Sequence, residues 1–260
     1  MRVGWLADPR SWGPLTRAIA VLGRHADGVV VSQRSPLECE PLDAEGVAWI
    51  AAGCCAPNGP RDVLARLDAD VLVADRAWWE PALADPLRRP VVRLAMDHPP
   101  EAGDWNLDAE PLHPWGWWQL PTRGEVRASW GVHDDRPVVV AHSPTTMRRW
   151  CELRAGPYLP AGAELRTVDR WRDSLQLVGA DLIVSSAGWA ASCEARWSGV
   201  PHVLLDVGAS DQAPRATHQF AQLAGVVAAV RPAELPADHR ADAALAAAAV
   251  ARFCARLAVG

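Results

Sequence analysis

The fold is decided by the segment Gly179-Ala180-Asp181-Leu182-Ile183-Val184-Ser185-Ser186-Ala187-Gly188-Trp189-Ala190-Ala191-Ser192-Cys193-Glu194. Its apolar residues Leu182–Val184 have the length of a buried strand, and the small residues up to Gly188 predict a tight turn after that strand. A helix is then expected to begin near Trp189. A strand that passes through a glycine turn into a helix is typical of an open α/β sheet, which binds ligands at the carboxyl ends of its strands.

Glu194 is the acidic residue of this segment that points to a ligand. It lies six residues after Gly188, roughly one and a half turns into the predicted helix. A carboxylate there can accept hydrogen bonds from both hydroxyls of a ribose, as acidic residues do in dinucleotide-binding folds. The N–H groups at the start of the helix favour phosphate. The segment therefore predicts a nucleotide site, and the alternative is a crossover helix that binds nothing.

Apolar runs of strand length recur on both sides of this segment and alternate with helix-length stretches. The runs are Val3–Ala7, Gly28–Ser32, Ala48–Ala51, Val71–Ala74, Val91–Ala95, Val138–Ala141, Glu164–Val168, Leu182–Ser185, His202–Leu205 and Val226–Val230. Continuous apolar runs are typical of parallel strands that are buried on both faces. The chain is therefore predicted to be an α/β protein with doubly wound parallel sheets.

The alternation stops between Asp97 and Trp130, where proline, glycine and tryptophan are frequent, and it resumes after Pro137. We therefore predict two Rossmann-like domains, residues 1–125 and 126–260, with a cleft between them. The alanine-rich stretch Asp238–Leu257 predicts one long helix. That helix can either stay with the second domain or pack back on the first.

Residues 179–212 resemble the sugar-nucleotide site of GT-B glycosyltransferases. Those families carry an A-D-L strand, a small-residue turn ending in glycine, a serine or threonine, a glutamate six residues after the glycine, G-V-P or G-L-P, and an acidic residue followed by glutamine. The matching positions here are Ala180-Asp181-Leu182, Gly188, Ser192, Glu194, Gly199-Val200-Pro201 and Asp211-Gln212. The resemblance implies the GT-B architecture, with an acceptor-side first domain and a second domain that binds the nucleotide sugar.

The resemblance also implies roles for individual residues. Glu194 would hold the ribose hydroxyls, Ser192 and the backbone after Gly188 would hold the diphosphate, and Asp211 and Gln212 would face the donor sugar. Ser186 is a further candidate substrate-binding residue. The substrate would be an NDP-sugar, with a UDP-sugar first in line. Such transferases usually need no metal or other cofactor, so none is expected here.

The first half is similar to the same families at Trp12-Gly13-Pro14-Leu15-Thr16-Arg17-Ala18. Arg17 and Ala18 match the family pattern, and Gly13 and Arg17 are candidate substrate-binding residues. The catalytic histidine of the families is replaced by Pro14, which has no ionisable side chain.

Three other residues of the first half are therefore candidate catalytic residues: Asp97, His98 and Asp8, each after a predicted strand. Each also has a structural interpretation. Asp97-His98 can be an ordinary loop before two prolines, and Asp8 can cap the helix that follows.

The loop His142-Ser143-Pro144-Thr145-Thr146 follows the first strand of the second half. The families often have a glycine-rich loop here that approaches the phosphates, and this loop contains no glycine. The hydroxyl of Ser143 is thus a candidate phosphate contact, and the alternative is that it caps a helix.

Composition excludes several other classes of protein. The net charge of -5 argues against a nucleic-acid-binding surface, and the basic residues are all arginine, which excludes lysine Schiff-base chemistry. No apolar run reaches the length of a membrane span, so we expect a cytoplasmic protein. Asp68-Ala69-Asp70 matches a metal-binding D-x-D motif, but it precedes a predicted strand and so lies at the wrong edge of the sheet for a ligand.

Three functions remain open from the sequence. The first is a glycosyltransferase that moves a sugar from an NDP-sugar to an acceptor. The second is a nucleotide-sugar hydrolase, in which water replaces the acceptor. The third is a catalytically degenerate module that binds a nucleotide sugar or a partner protein, as the replacement of the histidine by Pro14 suggests.

Overall fold

The computed structural model describes most of the chain. The described residues are 1–8, 12–32, 36–52, 59–75, 78–95, 104–106, 112–133, 135–142, 162–168, 171–186, 189–205, 222–223, 226–227 and 239–259.

The first sheet is parallel throughout the described residues. Its strands are β1 (Val3–Leu6), β2 (Gly28–Ser32), β3 (Ala48–Ala51), β4 (Val71–Ala74), β5 (Val91–Ala95) and β6 (Asp104–Asn106). They lie in the order β3-β2-β1-β4-β5-β6. The central strands β1, β2 and β4 are buried along their whole length. This is why the sequence shows them as continuous apolar runs.

The second sheet combines parallel strands with a short antiparallel edge. Its strands are β7 (Val138–His142), β8 (Glu164–Val168), β9 (Leu182–Ser186), β10 (His202–Leu205), β11 (Gln222–Leu223) and β12 (Val226–Val227), in the order β11-β12-β10-β9-β7-β8. Strands β7 to β10 are parallel. The predicted strand Val226–Val230 is described only at its first two residues, which pair antiparallel with β10 and β11.

Helices connect the strands of both sheets. They are α1 (Gly13–Leu22), α2 (Pro36–Ala44), α3 (Pro60–Arg66), α4 (Trp79–Leu83), α5 (Arg123–Trp130), α6 (Trp189–Ser198) and α7 (His239–Leu257), with 3₁₀ segments at Pro114–Gly116 and Trp171–Gly179. Two parallel-sheet α/β halves confirm the predicted fold class. Within the described part of the chain, no helix has both the length and the apolar character that a membrane crossing requires.

The chain forms two compact units whose limits differ from the predicted domains. One unit contains Met1–Trp118 and Asp238–Gly260, and the other contains Gln119–Ala237. Residues 238–260 thus group with the first unit; the predicted boundaries place them in the second, and packing of their helix on the first is the alternative that the sequence left open. The reason is that α7 packs on α1 and on the 3₁₀ segment Pro114–Gly116. Its buried face is formed by Ala246, Ala247, Val250, Ala251 and Cys254.

Candidate functional site

At the carboxyl edge of the second sheet, the side chain of one histidine contacts two other elements. His142 is the last residue of β7, Val168 is the last residue of β8, and Glu194 lies within α6. The Nε2 atom of His142 lies 2.6 Å from Oε2 of Glu194, and its Nδ1 atom lies 3.2 Å from the carbonyl oxygen of Val168. The side chains of His142 and Glu194 are only 8% and 9% exposed. Glu194, which the sequence predicts to bind a ribose, therefore lies at the sheet edge where open α/β folds bind ligands.

The two contacts of His142 indicate where its protons lie and what net charge it forms with Glu194. A carbonyl oxygen only accepts, so Nδ1 carries a proton and donates it to Val168. The short contact between Nε2 and the carboxylate needs a second proton between them. Whether that proton is on the imidazole or on the carboxyl group, the pair has no net charge. A neutral pair costs much less to bury than an isolated carboxylate.

A second buried histidine lies two strands away in the same sheet. The Nε2 atom of His202 in β10 lies 2.7 Å from the hydroxyl oxygen of Ser185 in β9. Ser185 is fully buried and His202 is 4% exposed. This contact links two neighbouring parallel strands, and we interpret it as structural.

The opposite edge of the second sheet carries the other carboxylate of the same sequence segment, Asp181. Its Oδ2 atom accepts hydrogen bonds from the N–H of Val138, at 2.7 Å, and from Arg127, while Oδ1 accepts one from Arg123. Burial by itself would raise the pKa of Asp181, but the Val138 N–H and the two guanidinium groups outweigh it and lower that pKa. Both arginines belong to α5, so Asp181 ties this helix to the start of the sheet.

The structure places some predicted donor-site residues and leaves others outside the described part of the chain. Glu194 lies in α6, whose first residue is Trp189. Ser186 ends β9 and Ser192 lies in the second turn of α6, although their side chains are outside the description. Ser143, Gly188, Asp211 and Gln212 lie outside the described residues. The donor-site roles, that of Glu194 included, stay predictions.

The candidates of the first half lie near the carboxyl edge of the first sheet. Asp8 follows β1 and is 7% exposed, and Gly13 is the first residue of α1. Arg17 is buried, and its guanidinium lies 2.7 Å from the carboxylate of Asp75, which follows β4. Pro14 is a buried residue of the first helical turn, where a missing N–H costs little.

The other two candidates for the catalytic base, Asp97 and His98, lie outside the described residues. Their catalytic role stays a prediction. The Asp68-Ala69-Asp70 motif is described. The backbone N–H of Arg2 donates to the Asp70 carboxylate at 2.6 Å, and the Arg2 guanidinium pairs with Asp68. The motif thus lies before β4, next to the start of β1, as its position in the sequence indicates.

Sequence reasoning did not select His142, Asp75 or Arg127. His142 and Asp75 had a usable signal, because each directly follows an apolar run and so falls at a carboxyl edge. Arg127 had no such signal. It is 54 residues from Asp181 in sequence and lies in a short helix of mixed polarity.

Comparisons with known proteins agree with this architecture. No family model and no curated protein matches the sequence. Among solved structures, the spinosyn forosaminyltransferase SpnP has a TM-score of 0.57 at 16% identity, with 98% of this chain and 95% of that chain covered. MurG from Acinetobacter baumannii has a TM-score of 0.53 at 11% identity, with coverages of 98% and 99%. The glycosyltransferase VinC, solved in complex with dTDP, has a TM-score of 0.52 at 14% identity, with both chains fully covered.

These similarities establish the fold. The chain has the GT-B fold, as its resemblance to that class of glycosyltransferases predicts. At identities of 11% to 16%, these structures show the fold alone.

Proposed function

We propose that this protein is a glycosyltransferase that transfers a sugar from a nucleoside-diphosphate sugar to an acceptor hydroxyl. The observation that carries the proposal is the position of Glu194, buried at the carboxyl edge of the second sheet in a chain with the GT-B fold. We take UDP-sugars as the first donors to test, because a ribose offers two neighbouring hydroxyls to a carboxylate. The neighbours whose names describe glycosyltransferases support the reaction class.

In the proposed donor site, Glu194 accepts hydrogen bonds from the ribose hydroxyls. The N–H groups at the start of α6, with the hydroxyls of Ser186 and Ser192, bind the diphosphate. Asp211 and Gln212 contact the donor sugar. During transfer the acceptor oxygen bonds to the anomeric carbon while the bond from that carbon to the diphosphate breaks. The helix N-terminus stabilises the charge that develops on the leaving diphosphate.

The acceptor must also lose its proton to a base. Pro14 cannot accept a proton, so we assign this role to the Asp97-His98 loop, with Asp8 as the next candidate. An unperturbed histidine is half-protonated near pH 6.5, which suits a base at neutral pH. Asp97 can orient His98 or act alone.

A second function is favoured by one observation. Pro14 lies buried in the first turn of α1, where the related transferases carry their histidine. If no other group replaces that histidine, the chain is a module that binds a nucleotide sugar without turning it over. A hydrolase is the third possibility, and it needs the same base to activate water.

The first experiment measures binding of nucleoside diphosphates by titration calorimetry. Glu194→Ala is expected to weaken UDP binding by about 1–3 kcal/mol, the range for losing hydrogen bonds to a charged group. Glu164→Ala is the matched control. Glu164 lies at the start of β8, at the opposite edge of the same sheet, and pairs with Arg136 and Arg166. Equal affinity in wild type and Glu194→Ala would remove Glu194 from the donor site.

The second experiment measures turnover of NDP-sugars with and without acceptor extracts. Asp97→Asn and His98→Gln are each expected to reduce turnover by about 100-fold while nucleotide binding is retained, because each would remove a proton-transfer group. If both variants keep full turnover, Asp8→Asn is tested next. Nucleotide binding without turnover of any donor by the wild type would favour the binding module, and donor turnover without acceptor would favour the hydrolase.

A further inference from the structure

The position of Glu194 depends on a contact that joins two separate elements. The carboxylate is carried by α6, and its partner His142 is carried by β7, 52 residues earlier in the chain. The imidazole is fixed in turn by the carbonyl of Val168 at the end of β8. The direction of the Glu194 side chain is thus set by the ends of two strands as well as by its own helix.

Such a contact matters because a glutamate side chain has several rotatable bonds. Ordering a side chain when a ligand binds costs conformational entropy, and a side chain that is already ordered avoids this cost. The 2.6 Å separation between Nε2 and Oε2, in a site where both side chains are almost fully buried, restricts the carboxylate before any ligand arrives.

The same contact controls the charge of the site. A bare buried carboxylate would repel the diphosphate of a nucleotide, and it would be costly to bury. The proton shared with His142 makes the pair neutral. A hydroxyl can then be bound by this pair without a net negative charge being placed beside the phosphates.

We propose that His142 is a positioning residue for the nucleotide: it holds the Glu194 carboxylate in the direction that recognises a ribose, and so makes the site select ribonucleotides over 2′-deoxyribonucleotides. This inference rests on the proposed function, since it requires that Glu194 binds the nucleoside. A site arranged to hydrogen-bond a hydroxyl rejects the analogue that lacks it, because the polar group of the site then loses its partner. His142 acts through Glu194 and need not touch the nucleotide itself.

Two substitutions of His142 test whether its hydrogen bond to Glu194 matters. One keeps a donor for that bond and the other removes it. In His142→Gln, the amide nitrogen takes roughly the place of Nε2 and can donate to Glu194. In His142→Asn, the shorter amide can reach only the Val168 carbonyl. His202→Gln is the control, because His202 is an equally buried histidine of the same sheet whose described contact is with Ser185.

The measurement is the ratio of the dissociation constants for 2′-deoxy-UDP and UDP. We expect a ratio of about 10 or more in the wild type, equivalent to about 1.4 kcal/mol. The ratio should stay within about threefold of the wild-type value in His142→Gln and His202→Gln. It should fall to about 1–2 in His142→Asn. An unchanged ratio in folded His142→Asn, or a wild-type ratio near 1, would overturn the inference while leaving nucleotide binding intact.

A measurement on the unaltered protein keeps the inference testable if a variant does not fold. Nitrogen-15 spectra of the histidine rings are recorded with UDP and with 2′-deoxy-UDP at saturation. The His142 ring nitrogens are expected to shift more with UDP than with the deoxy analogue, and those of His202 to respond equally to both. Identical His142 spectra with both ligands would contradict the inference. Failure of the wild type to bind any nucleoside diphosphate would reject the proposed function, and the inference with it.

Discussion

Asp181 and Glu194 belong to one sequence segment and lie at opposite edges of one sheet, and their partners differ. Asp181 is bound by two arginines and a backbone N–H at the amino edge. Glu194 is bound by a histidine at the carboxyl edge. The pair of Asp181 with two arginines joins α5 to the start of the sheet, whereas the pair of Glu194 with His142 joins α6 to the ends of β7 and β8. Under the proposed function, the amino edge holds the fold together and the carboxyl edge binds the nucleotide.

The largest expected effect is on stability, at the amino edge. Asp181→Ala leaves the Arg127 guanidinium, whose side chain is 1% exposed, without its carboxylate. Removing one partner of a fully buried pair costs about 3–5 kcal/mol, and we expect about 2–3 kcal/mol here because the Asp181 side chain is 37% exposed. Urea denaturation followed by circular dichroism measures the loss.

Glu194→Gln tests the carboxyl edge in the way that Asp181→Ala tests the amino edge. It should weaken nucleotide binding with a smaller change in the free energy of unfolding, whereas folded Asp181→Ala should bind nucleotide like the wild type. If Asp181→Ala were as stable as the wild type but failed to bind, the division of roles between the two edges would be wrong.

Acid should reduce the contribution of Asp181. Its pKa is lowered in the folded protein from an ordinary value of 3.8. The stability it contributes is therefore fully present above about pH 4–5 and is lost as the pH falls through the lowered value. The difference in unfolding free energy between wild type and Asp181→Asn should shrink between about pH 5 and pH 3. Urea titrations at several pH values measure it, and a difference that grows on acidification would contradict the prediction.

The strands could be predicted because their burial on both faces appears in the sequence as apolar runs, as in β1, β4 and β7. Strand β6 could not, because Asp104-Trp105-Asn106 has no such run and is a strand only through its pairing with β5. The assignment of α7 to the first unit depends on packing against α1 and not on its own composition.

The same limit applies to the site. The place of Glu194 in the helix after β9 could be predicted from its spacing after Gly188. Its pairing with His142 could not, because a contact between residues 52 positions apart exists only once the strands are arranged in the sheet. Arg127 and Asp181 are separated by a similar number of residues in sequence, so their contact could not be predicted for the same reason.

The smallest expected effect concerns the start of α5, which positions Arg123 and Arg127 against Asp181. Helix α5 begins with a capping box, in which the Thr122 hydroxyl accepts from the N–H of Glu125 and the Glu125 carboxylate accepts from the N–H of Thr122. The hydrogen bonds from Thr122 lower the pKa of Glu125. Arg123 follows the cap directly and Arg127 lies one turn later, so the cap fixes the turn that carries both guanidiniums towards Asp181.

Thr122→Ala should cost about 1 kcal/mol of unfolding free energy, the usual loss for a helix N-cap, with nucleotide affinity unchanged. If the cap acts partly through the arginines, its loss should be smaller in the Asp181→Ala background, and the two changes should deviate from additivity by about 0.5 kcal/mol or more. Urea denaturation of the wild type, both single variants and the double variant measures the coupling. Strict additivity would mean that the cap stabilises α5 alone. The pairing at the amino edge would then depend on Asp181 and the packing of the helix, and not on how the helix begins.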